Sequence, residues 1–260
     1  MSLALETLSV SSRALHRTLP CTLVLPPGRP PEAVLYLLHG GFSHHAEWPE
    51  RMDLAQMAAD WPLAIALPEG GFSLWVRGED GQDFERYAAW DVPEAVEAHL
   101  GLQLSRERRA VAGLSMGGFG ALQVGLSYPE RYGAVASLSG AFGMTWWNLG
   151  RAAGSPFLAA LGPPGSETRA RVDPFRTLER AVSHVGAEGL PPLFLATGTE
   201  DDSEVTHAHR SLHAALEAAG VAHLASERPG GHDWAFWARE TPALLAFVAT
   251  ALKLPSESPH

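Results

Sequence analysis

A serine surrounded by glycines stands near the middle of the chain, in the segment Gly113-Leu-Ser115-Met-Gly117. This spacing matches the pattern Gly-x-Ser-x-Gly, in which a sharp turn from a strand into a helix exposes the serine hydroxyl. The apolar run 109–114 predicts the strand, and the run 116–127 predicts the helix. Ser115 is therefore a candidate nucleophile, and the two glycines would let neighbouring segments approach without a Cβ clash. The alternative is a glycine-rich helix start that only packs tightly on a sheet.

A second glycine pair, Gly40-Gly41, follows the apolar run 33–38. A loop at the end of a strand can turn a backbone N–H toward a nucleophile. The N–H groups of Gly41 and Met116 are the candidate donors to a developing oxyanion, and each such donor typically contributes about 3 kcal/mol. His39 is expected to brace this loop, because the acid–base histidine in this arrangement comes last in the chain. Two adjacent glycines also fit an ordinary turn.

An acid and a base follow later in the sequence. Asp201 and Asp202 come after the apolar run 193–197, and His232 lies in a Pro-Gly-Gly-His turn before the last predicted helix. Serine, acid and histidine then occur in the order found in α/β hydrolases. The histidine can accept the serine proton while the carboxylate fixes the imidazole tautomer. The residues themselves leave Asp201 and Asp202 open as the acid, because acidic residues also favour the start of a helix.

Short apolar runs alternate with helical patterns along the whole chain. This alternation predicts the α/β class, with a doubly wound, mostly parallel sheet flanked by helices. Strands are predicted at 33–38, 63–67, 109–114, 134–139, 193–197 and 223–229, with an earlier antiparallel portion at 22–26. Helices are predicted near 50–60, 84–100, 116–127, 203–219 and 234–252. The length of 260 residues indicates a single domain over 1–260. Residues 142–190 show no regular pattern, and we interpret them as an insertion over the site.

Composition argues against several classes of protein. Apolar residues make up 46% of the chain and charged residues 18%, which is typical of a folded domain and not of a disordered one. The formal net charge of −10 argues against a nucleic-acid partner. No segment has the roughly 18 apolar residues of a membrane helix, and the N-terminus lacks a signal-peptide pattern. We therefore expect a soluble, cytoplasmic protein with no membrane partner.

Metal binding is not expected either. His207, His209 and His213 fall on the predicted helix 203–219 and are interpreted as exposed residues. A zinc site needs three or four convergent ligands, and only the last two of these histidines share a helix face.

Taken together, the motifs resemble the esterase D family of α/β hydrolases, which includes S-formylglutathione hydrolases, tributyrin-type esterases and mycolyltransferases. The resemblance covers nearly the whole chain and is carried by CTLVLPPG, VLYLLHGG, GLSMGGFGALQVGLSYPERYGAVASLSGAF, LFLATGTEDD and RPGGHDWAFWARE. It implies Ser115 as nucleophile, His232 as base and Asp201 as acid, with Gly41 and Met116 forming the oxyanion hole. The chain departs from the family pattern in three places. The segment 70–81 replaces a stretch that in relatives often reads Ser-Trp-Tyr. The residue after the acid is usually apolar and here is Asp202, and the position of Gly41 often holds a bulkier residue.

The resemblance implies a serine carboxylesterase that hydrolyses short acyl esters, acetyl to butyryl, through an acyl-enzyme and without a cofactor. Its partner would be a small-molecule ester, and a homodimer is left open. Hydrolysis of S-formylglutathione, or acyl transfer, would use the same triad. A catalytically silent binding protein with this fold is a further alternative. Four tryptophans are candidates to line a substrate pocket, although core packing explains most tryptophans: Trp75, Trp146, Trp147 and Trp234.

Overall fold

The computed structural model describes residues 5–146 and 156–256. Its strands are β1 (Leu5–Ser12), β2 (Arg17–Val24), β3 (Ala33–Leu38), β4 (Leu63–Pro68), β5 (Arg109–Leu114), β6 (Ala134–Leu138), β7 (Leu193–Gly198) and β8 (His223–Arg228). They form one eight-stranded sheet in the order β1-β2-β4-β3-β5-β6-β7-β8. The pairs β1–β2 and β2–β4 are antiparallel, and the strands from β4 to β8 pair in parallel.

The helices are α1 (Glu47–Arg51), α2 (Leu54–Met57), α3 (Phe84–Arg86), α4 (Val92–Leu100), α5 (Met116–Ser127), α6 (Leu158–Leu161), α7 (Glu167–Arg171), α8 (Pro174–Val185), α9 (Ser203–Ala218) and α10 (Trp234–Ala251). A π-helical turn, Tyr87–Asp91, joins α3 to α4. Short 3₁₀ segments lie at Arg106–Arg108, Phe142–Thr145 and Ala187–Gly189. Within the described ranges, none of these helices combines the length and the apolarity needed to cross a membrane.

The apolar strands are explained by burial on both sides of the sheet. In β3, Val34 and Tyr36 face one hydrophobic core while Leu35 and Leu37 face the other. Side chains alternate along a strand, so a strand covered on both faces must be apolar at every position. The carboxyl ends of the parallel strands meet at one edge of the sheet, and the loops that follow them carry the candidate site.

The doubly wound, mostly parallel sheet predicted from the sequence is confirmed, and each predicted parallel strand is present. The predicted antiparallel portion at 22–26 overlaps the end of β2, which is longer and begins at Arg17. Strand β1 was not predicted. It lies at one edge of the sheet and is largely exposed, so its sequence is mostly polar.

The described residues of the segment 142–190, which are 142–146 and 156–190, are more regular than the sequence indicated. They contain α8, a full helix that packs between α5 and α9 as part of the helical layer. Asp173 caps this helix by accepting hydrogen bonds from the N–H groups of Phe175 and Arg176. The prediction that His209 is exposed is wrong, because its side chain is buried in α9 and is only 3% exposed.

Candidate active site

Ser115 lies at the turn between β5 and α5 in a strained backbone conformation. Its φ is 51° and its ψ is −115°, a region that non-glycine residues rarely adopt. The neighbouring glycines are required by close contacts. A Cβ at Gly113 would lie 2.4 Å from the Gly117 carbonyl oxygen, and a Cβ at Gly117 would lie 2.2 Å from the carbonyl oxygen of Leu38. The glycine spacing therefore permits the turn that presents the Ser115 hydroxyl.

The structure brings His232 to this hydroxyl. Its Nε2 lies 2.9 Å from Ser115 Oγ, although the two residues are 117 positions apart in the sequence. His232 sits just before Asp233, whose side chain caps α10 by accepting a hydrogen bond from the Phe236 N–H. The capped start of α10 and the short turn before it fix the backbone position of His232 and so the position of its imidazole.

The other imidazole nitrogen faces an aspartate. His232 Nδ1 lies 2.8 Å from Asp201 Oδ1, and the Asp201 side chain is fully buried. Burial favours the protonated carboxyl, but the hydrogen bonds from His232 and Ser139 outweigh it and lower the pKa of Asp201 below its usual value. Asp202 is exposed at the start of α9 and does not contact Nδ1 through a hydrogen bond. Of the two candidate acids, Asp201 is the one in the hydrogen-bond chain.

The acid loop and the histidine loop are joined by their backbones. The Thr199 N–H donates to the Arg228 carbonyl at 2.8 Å, and the Glu200 N–H donates to the Gly230 carbonyl at 2.9 Å. A Cβ at Gly198 would lie only 2.0 Å from that Gly230 oxygen. These contacts hold the loop after β7 against the loop after β8, so the distance from Asp201 to His232 is set by the main chain.

Two residues, Ser139 and Trp237, support the acid through contacts that the sequence did not indicate. The Ser139 hydroxyl is a hydrogen-bond partner of the Asp201 carboxyl and accepts the indole N–H of Trp237 at 3.1 Å. Ser139 is fully buried, and its φ is 47°. The Trp237 ring also meets the His232 ring edge to face, with centroids 5.1 Å apart. The available signal was that Ser139 directly follows β6 and so lies at the same sheet edge as Ser115 and Asp201.

The two proposed oxyanion donors both line the cavity beside Ser115. Neither the Gly41 N–H nor the Met116 N–H donates to another residue in the described ranges. Met116 is the first residue of α5, where N–H groups lack partners within the helix. A Cβ at Gly41 would lie 2.6 Å from Phe157 Cζ, so the Phe157 ring fills the space that a bulkier residue would need.

His39 is buried and lies outside the hydrogen-bond chain of Ser115. Its Nε2 accepts the Gly70 N–H at 2.9 Å, and its Nδ1 is 2.7 Å from the Gly40 carbonyl oxygen. These bonds tie the loop after β3 to the loop after β4, consistent with the bracing role expected for His39.

A cavity of about 400 Å³ opens above Ser115 and His232. Its apolar wall contains Phe42, Leu74, Met144, Phe157, Val205, Trp234 and Trp237. Of the tryptophans proposed for the pocket, Trp234 lines the cavity, and Trp147 falls outside the described residues.

The remaining two tryptophans do not line this cavity. Trp75 is fully buried beneath it, packed against Gly70 and Gly120, with its indole N–H donating to the His39 carbonyl. Trp146 is 46% exposed and donates its indole N–H to Asp173. Trp75 acts as core packing, and Trp146 fixes the start of α8.

One group of potential metal ligands occurs among the described residues. Ligand atoms of Asp201, Asp202 and His232 lie within 4.8 Å of one another. Asp201 and His232 already bond to each other, and His232 also bonds to Ser115. The arrangement is suited to passing a proton from the serine to the imidazole.

Comparisons with known proteins agree with this fold. The family model described as "Putative esterase" matches residues 12–248. An acetyl esterase of Caldicellulosiruptor saccharolyticus is 26% identical over 78% of this chain and 78% of its own length. Fluorophosphonate-binding serine hydrolase F of Staphylococcus aureus superimposes with a TM-score of 0.83 at 22% identity, covering 95% of this chain and 99% of that one.

An S-formylglutathione hydrolase of the same organism gives a TM-score of 0.80 at 22% identity, covering 95% of this chain and 99% of that one. The α/β-hydrolase fold and the family resemblance predicted from the sequence are both confirmed. The chain belongs to the esterase family of α/β hydrolases.

Proposed function

We propose that the protein is a serine carboxylesterase that hydrolyses short acyl esters through an acyl-enzyme on Ser115. The observation that supports the proposal is a continuous series of hydrogen bonds from Asp201 through His232 to the Ser115 hydroxyl, with lengths of 2.8 Å and 2.9 Å. The Ser115 hydroxyl lies at the floor of an apolar cavity, where an ester can reach it.

Acylation begins when His232 Nε2 accepts the Ser115 proton as Oγ attacks the ester carbonyl. Asp201 accepts the hydrogen bond from Nδ1–H, which holds the imidazole in the tautomer whose Nε2 is the acceptor and stabilises the imidazolium that forms. The N–H groups of Gly41 and Met116 hold the oxyanion, each contributing about 3 kcal/mol of transition-state stabilisation. His232 then gives the proton to the leaving alkoxide, and water repeats the sequence to release the acid.

The preference for short acyl groups rests on the aromatic rings beside the oxyanion position. The Phe157 ring packs against Gly41 and forms an edge-to-face contact with Phe42, with centroids 5.8 Å apart. These rings limit the space beside the oxyanion position.

The test is a series of nitrophenyl esters from acetate to decanoate, with S-formylglutathione alongside. We expect the highest kcat/KM for acetate to butyrate and complete loss of hydrolysis in Ser115→Ala. Hydrolysis that survives Ser115→Ala would reject the nucleophile, and a maximum at long chains would reject the acyl preference. Faster turnover of S-formylglutathione than of any simple ester would favour the thioesterase alternative.

A further inference from the structure

Asp202 places a second carboxylate beside the proposed catalytic residues. Its carboxylate lies within 4.8 Å of the Asp201 carboxylate and of a ring nitrogen of His232. The residue is exposed, lines the cavity and makes no side-chain hydrogen bond to the start of α9. Its charge therefore faces the space that a substrate would occupy.

The other carboxylate of the cavity is compensated, whereas that of Asp202 is not. Glu47 accepts hydrogen bonds from the guanidinium of Arg51 at 3.1 Å and from the indole N–H of Trp234 at 3.1 Å. Asp202 has no ion pair with a residue in the described part of the chain. None of the described residues that line the cavity is a lysine or an arginine. Among the described residues of the wall, Asp202 thus carries the one unpaired negative charge.

The position of His232 shows which part of a substrate meets this charge. In ester hydrolysis by the proposed mechanism, the leaving oxygen must take a proton from Nε2, so the alcohol portion lies next to His232. Asp202 is adjacent to the same imidazole. A charge on the leaving group therefore interacts electrostatically with the Asp202 carboxylate.

We propose that Asp202 is a specificity-determining residue that selects esters by the charge of the leaving group, favouring cationic over neutral and neutral over anionic alcohols. The inference rests on the proposed esterase function. A unit charge about 6 Å from a carboxylate in a partly aqueous cleft changes binding by about three- to tenfold, and added salt screens part of this. The negative charge of Asp202 also disfavours anionic leaving groups such as glutathione.

Three acetyl esters with the same two-carbon spacer test the proposal: acetylcholine, 3,3-dimethylbutyl acetate and 2-acetoxyethanesulfonate. They carry a cation, a neutral group of similar shape and an anion. In Asp202→Asn, the cationic-to-neutral ratio of kcat/KM should fall about three- to tenfold relative to wild type, and the anionic-to-neutral ratio should rise by a similar factor. Comparing ratios between variants cancels the intrinsic reactivity of each ester. Asparagine is also a favourable helix N-cap, so α9 is preserved.

Glu204→Gln is the matched control, because it removes the same charge from the same helix start at an exposed residue that does not line the cavity. Both ratios should stay near wild type in this variant. Unchanged ratios in Asp202→Asn, or an equal loss on all three esters, would overturn the proposal. Failure of wild type to hydrolyse any of the three esters would instead reject the esterase function itself, and hydrolysis that persists in Ser115→Ala would reject Ser115 as the nucleophile.

Discussion

Asp201→Asn separates two roles of the acid, holding the imidazole tautomer and supplying charge. Asp201 Oδ1 accepts both His232 Nδ1–H and the Asp202 N–H, each at 2.8 Å, and Oδ2 accepts the Thr197 hydroxyl at 3.3 Å. Ser139 supplies a further hydroxyl. An amide offers one acceptor oxygen and one donor nitrogen. The backbone N–H of Asp202 cannot rotate, whereas both hydroxyls can, so the amide oxygen should take the Oδ1 position.

In this orientation Nδ1–H still has an acceptor, and Nε2 can still accept the Ser115 proton. The variant then loses only the charge opposite the imidazolium. Two unit charges about 4 Å apart at an effective dielectric constant near 20 interact by about 4 kcal/mol, which corresponds to about 10³-fold in rate. Reversal of the tautomer typically costs more, about 10⁴-fold.

The assay is kcat/KM for nitrophenyl acetate in wild type, Asp201→Asn and Asp201→Ala, with Ser115→Ala as the background. We expect Asp201→Asn to lose about 10³-fold and to remain more active than Asp201→Ala, which leaves Nδ1–H without its acceptor. The adjacent Asp202→Asn should lose less than about tenfold on the same neutral ester. If kcat/KM instead falls by about 10⁴-fold or more in Asp201→Asn, as much as in Asp201→Ala, then the Asp202 N–H does not orient the amide oxygen toward Nδ1.

Three further predictions follow from the same contacts. Ser139→Ala removes a hydrogen bond to a charged carboxylate, so kcat for nitrophenyl acetate should fall about tenfold with little change in KM; a change confined to KM would contradict the positioning role. Gly117→Ala places a Cβ 2.2 Å from the Leu38 oxygen, which should destabilise the fold by about 3 kcal/mol and lower the Tm by several degrees. The control Gly231→Ala, whose nearest contact would be 3.5 Å, should melt near wild type. Burial lowers the pKa of His209 to about 4 from its usual 6.5, so the unfolded chain binds a proton that the folded chain does not. This residue should therefore lower the free energy of unfolding by about 3 kcal/mol as pH falls from 6.5 to 4. Urea titrations should show a free energy of unfolding that falls by about 3 kcal/mol less over this pH range in His209→Gln than in wild type.

The parallel strands and the main residues of the candidate site could be predicted because each leaves a local signal. A strand buried on both faces must be apolar throughout, and β3 and β4 are. The tight approach of Gly113 and Gly117 to neighbouring backbone leaves no other residue type at those positions. Ser115, Asp201 and His232 follow β5, β7 and β8, whose carboxyl ends lie at the same edge of the sheet. The order of the three residues in the sequence is therefore the order of these strands.

Other features could have been read from the sequence but were missed. Asp173 with Pro174 is a typical helix start, and it begins α8 in the segment interpreted as irregular. His209 is four residues after Val205 and three before Leu212, both buried, so helical spacing places it on the buried face.

The remaining features depend on tertiary contacts that no local pattern encodes. Trp75 lies beneath the cavity because Gly70 and Gly120 leave room for its ring. The bond between Trp237 and Ser139 joins residues 98 positions apart. Local propensities do not distinguish Asp201 from Asp202, because the choice depends on which side chain turns inward from the same loop, and only the family resemblance implied Asp201.

The central claim is that His232 activates the Ser115 hydroxyl. The most direct measurement is reaction with a fluorophosphonate probe near neutral pH, followed by intact mass and peptide mapping. We expect one adduct per chain, located on Ser115, with labelling strongly slowed in His232→Ala. A label on another serine, or equally fast labelling of Ser115 without His232, would contradict it.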